Sequence, residues 1–217
     1  MTRGMDFRGR VRRFGVRSAL EHAAWRRLHS VSGYAAYRCL ELPVGVAPAA
    51  PPALAEAECR EVGLREMADY ADDPVYELDP GFIPQAIARG DCCMGVFAAG
   101  RLVSYSFNSG CAIGFHPVLR YRLPPGWIYH FKAFTVPAWR GRRLHALGVA
   151  AAVRKFATRP AYNGLATLVI EANHSSLRSF ERLGFRVAHR FFVLRRESDS
   201  PWVFASAGSA HRVERVN

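Results

Sequence analysis

The chain has 217 residues, half of them apolar and 12% aromatic, with a formal net charge of +12 and a pI near 10.2. That length suits one domain with an appendage, and the apolar content allows a sizeable core. No apolar run reaches the roughly 18 residues of a membrane span, so no membrane-crossing helix is expected.

The charge draws polyanions: nucleic acid, anionic lipid, phosphate-bearing ligands or an acidic carrier protein; an arginine-rich codon bias gives the same composition. The five cysteines, Cys39, Cys59, Cys92, Cys93 and Cys111, contain no C-x-x-C pair. They read as free thiols in a reducing compartment, with no metal site. The basic N-terminus lacks the apolar core of a signal peptide, so the cytoplasm is the expected location.

In chain order, residues 1–45 read as a basic helical extension. Within it Val16, Leu20, Ala23, Ala24 and Leu28 recur at helical spacing, opposite a face of arginines. Such a helix docks on its own domain, on a membrane surface or on a partner. Residues 46–55 are a proline- and alanine-rich linker, the prolines removing donors and restricting their predecessors. A domain follows over 56–196. Glu56 to Tyr70 is expected as a helix, and Phe82 to Arg89 as a short helix ended by Gly90. Cys92 to Ala98 and Leu102 to Asn108 form a hairpin around Ala99-Gly100. After a long loop come a strand at Trp127–Val136, a helix at Leu144–Thr158, a strand at Leu165–Glu171, a helix at Ser175–Leu183 and a strand at Arg186–Arg195. Residues 197–217 are a polar tail. The fold class is α+β: a mixed, largely antiparallel central sheet flanked by helices, with the helical extension at its N-terminus.

The informative stretch is Phe134-Thr135-Val136-Pro137-Ala138-Trp139-Arg140-Gly141-Arg142-Arg143-Leu144-His145. A strand ends at a proline, a basic loop follows and a helix begins. The unpaired N–H groups and positive dipole end of that helix make an anion site suited to a pyrophosphate. Asn173-His174-Ser175-Ser176-Leu177-Arg178-Ser179-Phe180-Glu181-Arg182-Leu183-Gly184-Phe185 follows downstream. Together and in this order, the two stretches resemble motifs A and B of the GNAT superfamily of N-acyltransferases, over roughly residues 60–195.

The resemblance implies acetyl-CoA, or another acyl-CoA, as donor. The backbone of Phe134 and Val136 would pair with the pantetheine arm, and amides of Arg140, Gly141, Arg142, Arg143, Leu144, His145 and Ala146 would hold the pyrophosphate. Asn173, Ser176 and Phe180 would lie near the sulfur. Two positions depart from the motifs. Arg143 stands where the family has glycine, so it either hinders phosphate or adds a cation to it. Phe180 stands where many members have a tyrosine that protonates the thiolate, and phenylalanine donates no proton.

Two-residue alternation puts His130, Lys132, Phe134 and Val136 on one strand face. In serotonin-type acetyltransferases, which the strand resembles here, histidines occupy the places of His130 and Lys132. His130 is thus the candidate general base, with Tyr129 in reserve should a bulge intervene. The Cys92-Cys93 pair reads as strand packing, not as a nucleophile.

The leading function is transfer of an acetyl or other acyl group from acyl-CoA to a primary amine, most simply on a small molecule. Two alternatives stay open: a long-chain acyltransferase fed by acyl-CoA or acidic acyl carrier protein, and a catalytically impaired CoA-binding module. No nucleic-acid motif is present. A homodimer is compatible with the sequence.

Overall fold

The computed structural model describes residues 16, 20, 23, 24, 27, 32–49, 57–195, 199–205 and 212–216. Its strands are β1 (Ala35–Pro43), β2 (Ala57–Val62), β3 (Cys92–Ala98), β4 (Arg101–Ser109), β5 (Ile113–His116), β6 (Leu119–Arg122), β7 (Trp127–Thr135), β8 (Gly164–Ile170), β9 (Arg186–Leu194), β10 (Trp202–Ala205) and β11 (Arg212–Arg215). The helices are α1 (Leu64–Ala71), α2 (Phe82–Arg89), α3 (Leu144–Phe156) and α4 (His174–Arg182).

Eight strands form one sheet in the order β10-β9-β1-β8-β7-β4-β3-β2, and β11-β6-β5 form a second. The expected α+β class and largely antiparallel sheet are present, with only the β7–β8 contact parallel. The β3–β4 hairpin turns at Ala99 and Gly100, both with positive φ, as a two-residue turn matched to strand twist requires. Gly90 closes α2 in the left-handed region, its N–H donating to the Ala86 and Ile87 carbonyls.

The division of the chain needs one correction. Residues 35–43 lie in the assigned extension, yet they form β1, an inner strand paired with β8 on one side and β9 on the other. Ala, Leu, Glu and Arg lean towards helix on their own, and two flanking strand edges override that lean. Glu56–Tyr70 also divides. Ala57–Val62 is an edge strand on β3 with its charges turned to water, and the helix starts only at Leu64. The long loop holds β5 and β6, and the tail supplies β10 to β9 and β11 to β6. In the extension, Val16, Leu20, Ala23, Ala24 and Arg27 are helical and exposed. Leu28 lies outside the described residues.

Both faces of the main sheet are covered. On one face α3 and α4 pack through Val149, Ala152, Phe156, Leu177 and Phe180 against Leu40, Leu42, Ile128 and Leu165. Small residues let α3 approach: a Cβ on Gly148 would meet Ser106 Oγ at 3.3 Å. The opposite face is shared. Met67, Ala71, Ile83 and Ala86 of α1 and α2 cover Cys93, Tyr105 and Phe107. Ile113, Leu119 and Tyr121 of the small sheet cover Tyr37, Cys39, Tyr129 and Phe191.

Candidate active site

The site begins where the sheet comes apart. β7 and β8 pair only from Trp127↔Gly164 to Tyr129↔Ala166, and then run on to Thr135 and Ile170 without each other. Their outer edges stay paired, β7 with β4 and β8 with β1. A wedge therefore opens in mid-sheet from residue 130 onwards, leaving unpaired backbone donors and acceptors along the inner edge of β7. A groove of about 880 Å³ occupies it, lined by Ala133, Phe134, Thr135, Ile170, residues of the loop before α3 and one side of α4.

A bulge sets what faces this groove. Tyr105 pairs with Phe134 and Phe107 with Phe131, so β7 carries an extra residue, and Lys132 takes φ +48° to accommodate it. Phe131, Phe134 and Val136 pack towards α1 and α2, and Lys132 Nζ stands 4.6 Å from the centre of the Phe82 ring on α2. His130 points to the opposite face, against Phe180. The expectation that His130 shares a face with Lys132, Phe134 and Val136 is thus corrected.

The backbone expectation shifts by one residue for the same reason. The Phe134 carbonyl accepts from Ser104 Oγ at 2.7 Å, and the Val136 N–H donates to the Val103 carbonyl at 3.0 Å. Both are turned to β4. Successive backbone groups point to opposite edges of a strand, so those of Ala133 and Thr135, not Phe134 and Val136, face the wedge.

At the outer end of the wedge, Pro137–Trp139 form one 3-10 turn and Gly141 takes φ +86°. Arg143 precedes α3 at φ +59°, a left-handed conformation that glycine adopts freely. A glycine, which the resembled motif has at this place, suits that backbone conformation. The Arg143 side chain donates to the Ala49 carbonyl at 3.3 Å, while Arg140 Nε donates to the Thr135 carbonyl at 3.1 Å. No side chain caps α3, and while the Ala146 N–H donates to the Arg143 carbonyl at 2.9 Å, the Leu144 and His145 N–H groups remain available to an anion beside Arg140.

At the inner end lies a chain of hydrogen bonds. His130 Nδ1 is 2.9 Å from Asn108 Oδ1, His130 Nε2 is 3.0 Å from His145 Nε2, and His145 Nδ1 is 3.2 Å from Ser179 Oγ. Asn108 Nδ2 donates to the Cys92 carbonyl, which turns Oδ1 to His130 as an acceptor. His130 then carries its proton on Nδ1. His145 Nε2–H donates to His130 Nε2, and the Ser179 hydroxyl donates to His145 Nδ1. Burial pushes the His145 imidazole down to about 4. Burial, and then His145 beside it, hold His130 well below its ordinary value. Both rings are neutral at pH 7, as this pattern requires.

The expected site residues divide accordingly. Phe134, Arg140, Gly141, Arg143, Leu144, His145, Ala146, Asn173, Ser176 and Phe180 line the groove. Val136 and Arg142 do not; the Arg142 guanidinium lies 4.5 Å from the centre of the Trp139 ring. Asn173 caps α4, accepting from the Ser176 N–H. His130 is fully buried and reaches the groove only through His145. Tyr129 is buried on the far face beside Tyr121 and Phe131, and burial raises its pKa. Neither is placed to meet a substrate directly. The Cys92 thiol is pushed up to about 12, chiefly by burial, in keeping with packing.

Asn108 and Ser179 join the site although neither is among the residues expected there. The available signal was the alternation Ser104, Ser106, Asn108 in an otherwise apolar strand, marking one polar stripe under α3. Among the described residues, no cluster of three or more His, Cys, Asp or Glu could hold a metal ion.

No protein-family model and no curated protein matches the chain. Solved structures do. A GCN5-related N-acetyltransferase from Sphaerobacter thermophilus is similar with a TM-score of 0.53 and 18% identity, over 79% of this chain and 55% of that one. A Drosophila protein matches with a TM-score of 0.51 and 18% identity, over 85% and 59%. A Staphylococcus epidermidis protein of unknown function matches at 0.50 and 8%, over 88% and 66%. The chain thus spans less than two thirds of the length of each. At these identities the likeness is one of fold.

Proposed function

We propose that this chain, whose fold is that of the GNAT superfamily, is an N-acyltransferase that moves an acyl group from acyl-CoA to a primary amine. The observation that carries the reading is the wedge between β7 and β8, with a cationic helix N-terminus at its mouth and a neutral imidazole chain at its apex. A pyrophosphate fits the first N–H groups of α3 beside Arg140. An amide-bearing arm such as pantetheine fits the wedge-facing backbone of Ala133 and the Thr135 N–H as an added strand, beside the Thr135 carbonyl that Arg140 already holds. This orientation carries a thioester towards the apex.

The chemistry asked of the protein is then modest. Holding amine and thioester together supplies much of the rate, and wedge-facing backbone N–H groups polarise the carbonyl. Arg143 is compatible with binding because its side chain turns away to Ala49. That favours an active transferase over an impaired module.

Calorimetry with CoA tests the reading. Wild type should bind, and Arg140→Glu should weaken binding at least about tenfold by reversing one charge at the phosphate site. Absence of CoA binding by wild type, or an unchanged affinity in the variant, would overturn it.

A further inference from the structure

We infer that Ser179, oriented through His145, His130 and Asn108, carries the proton that leaves the acceptor nitrogen and returns to the departing sulfur. The inference rests on the acyl-transfer reading above. Ser179 is the only member of the four besides His145 that borders the groove. Behind it the chain runs inward across α4, α3, β7 and β4, ending on the Cys92 carbonyl of β3. Each link has one direction. The Cys92 carbonyl can only accept, so every donor upstream is assigned and His145 Nδ1 is left as an acceptor facing the serine hydroxyl. Asn108 and His130 therefore act as positioning residues, keeping His145 in the one tautomer that can receive a proton from Ser179.

The steps balance. The acceptor ammonium first loses one proton to solvent. As the amine nitrogen bonds to the thioester carbon, it passes a second proton to Ser179 Oγ, while the hydroxyl proton of Ser179 moves to His145 Nδ1. When the C–S bond breaks, its electron pair leaves with sulfur. His145 Nδ1 returns its proton to Ser179 Oγ, and the serine hydroxyl proton goes to sulfur. Amide and thiol result, and the four side chains regain their starting states. Apart from burial and the other imidazole, neither ring feels a charged group: Asn108 faces His130 from β4, and Ser179 and the Phe180 ring face His145 from α4. A ring that holds a proton so weakly gives it back readily to a thiolate.

Thiol release from acetyl-CoA, with and without ethylamine as probe, and calorimetry with CoA test this on the full chain. Ser179→Ala should lower kcat about 10²-fold and leave CoA affinity within about twofold. Ser179→Thr, which keeps the hydroxyl, should recover most of the loss. Nitrogen-15 spectra of the wild-type histidines should show His145 protonated on Nε2 and His130 on Nδ1. CoA binding with an unaffected Ser179→Ala rate, or His145 protonated on Nδ1 at rest, overturns the relay alone. Failure of wild type to bind CoA or to release thiol overturns the acyl-transfer reading, and this inference with it.

Discussion

At the scale of single residues, two departures from the GNAT motifs have different physical meanings. Arg143 holds φ +59° where the motif has glycine. A residue with a Cβ pays about 1 kcal/mol in that region. Its side chain gains only an exposed bond to the Ala49 carbonyl. Arg143→Gly should therefore raise stability by about 0.5–1 kcal/mol, or roughly 1–4 °C in Tm for a chain of this size. Thermal unfolding of the two proteins checks this, and a lower Tm in the variant would show that the bond outweighs the strain. Phe180 is different. It keeps the motif's aromatic shape, and two imidazoles meet its ring nearly edge to face, with centroids 4.9 Å away for His145 and 5.8 Å for His130. The motif could not reveal this grouping, because the two histidines lie on different elements and only the packing of α3 over β7 joins them.

At the scale of elements, β1 is the main revision. Its neighbours depend on it: Tyr37↔Ile170 to Pro43↔Gly164 pair it with β8 along its length. Gly164 opens β8 at φ +147°, and a Cβ there would strike the Leu42 carbonyl and come within 2.9 Å of Pro43 Cα and 2.7 Å of the Trp127 ring. Two of these three neighbours belong to β1. Gly164→Ala should thus cost about 2–3 kcal/mol, since backbone cannot move aside as a side-chain tip can. Urea denaturation measures it. A near-neutral result would mean that β1 does not close on β8 as described. The hairpin Cys92–Asn108 and the elements between Trp127 and Arg195 were legible in the sequence, because each combines a clear period with turn residues such as Ala99-Gly100; the four-residue strands β5, β6, β10 and β11 were not, being too short to show a period. The sequence 35–43 was not, since an inner strand buried on both faces lacks the alternation that marks a half-buried one.

At the scale of the whole molecule, the imidazole chain ties α3, α4 and the sheet to pH. In the folded protein His145 is held near 4, against an ordinary value of 6.5, and His130 is displaced in the same direction. The unfolded chain therefore binds more protons than the folded one between these values, so stability falls as pH drops from about 6.5 to about 4. For His145 alone the loss is at most about 3 kcal/mol. His145→Gln, which keeps a side chain able to hydrogen-bond, should show a shallower decline across this window. Chemical denaturation at a series of pH values compares the two; parallel curves would contradict the assignment.

What the sequence determined by itself is the local physics of the molecule: where α3 begins, that its N-terminus meets arginines, which segments alternate, and the ordered pair of motifs that indicates the fold. Such features lie in short stretches of chain and follow from spacing and residue type. Only the tertiary structure decided the rest. The bulge at Lys132 turned His130 away from Phe134 and passed the wedge-facing backbone to Ala133 and Thr135. The strand 35–43 became interior because two distant strands offered it both their edges. Asn108, His130, His145 and Ser179 met because four separate elements converge there. A bulge, a strand pairing and a hydrogen-bond chain are relations between segments far apart in the chain, and no local period encodes them.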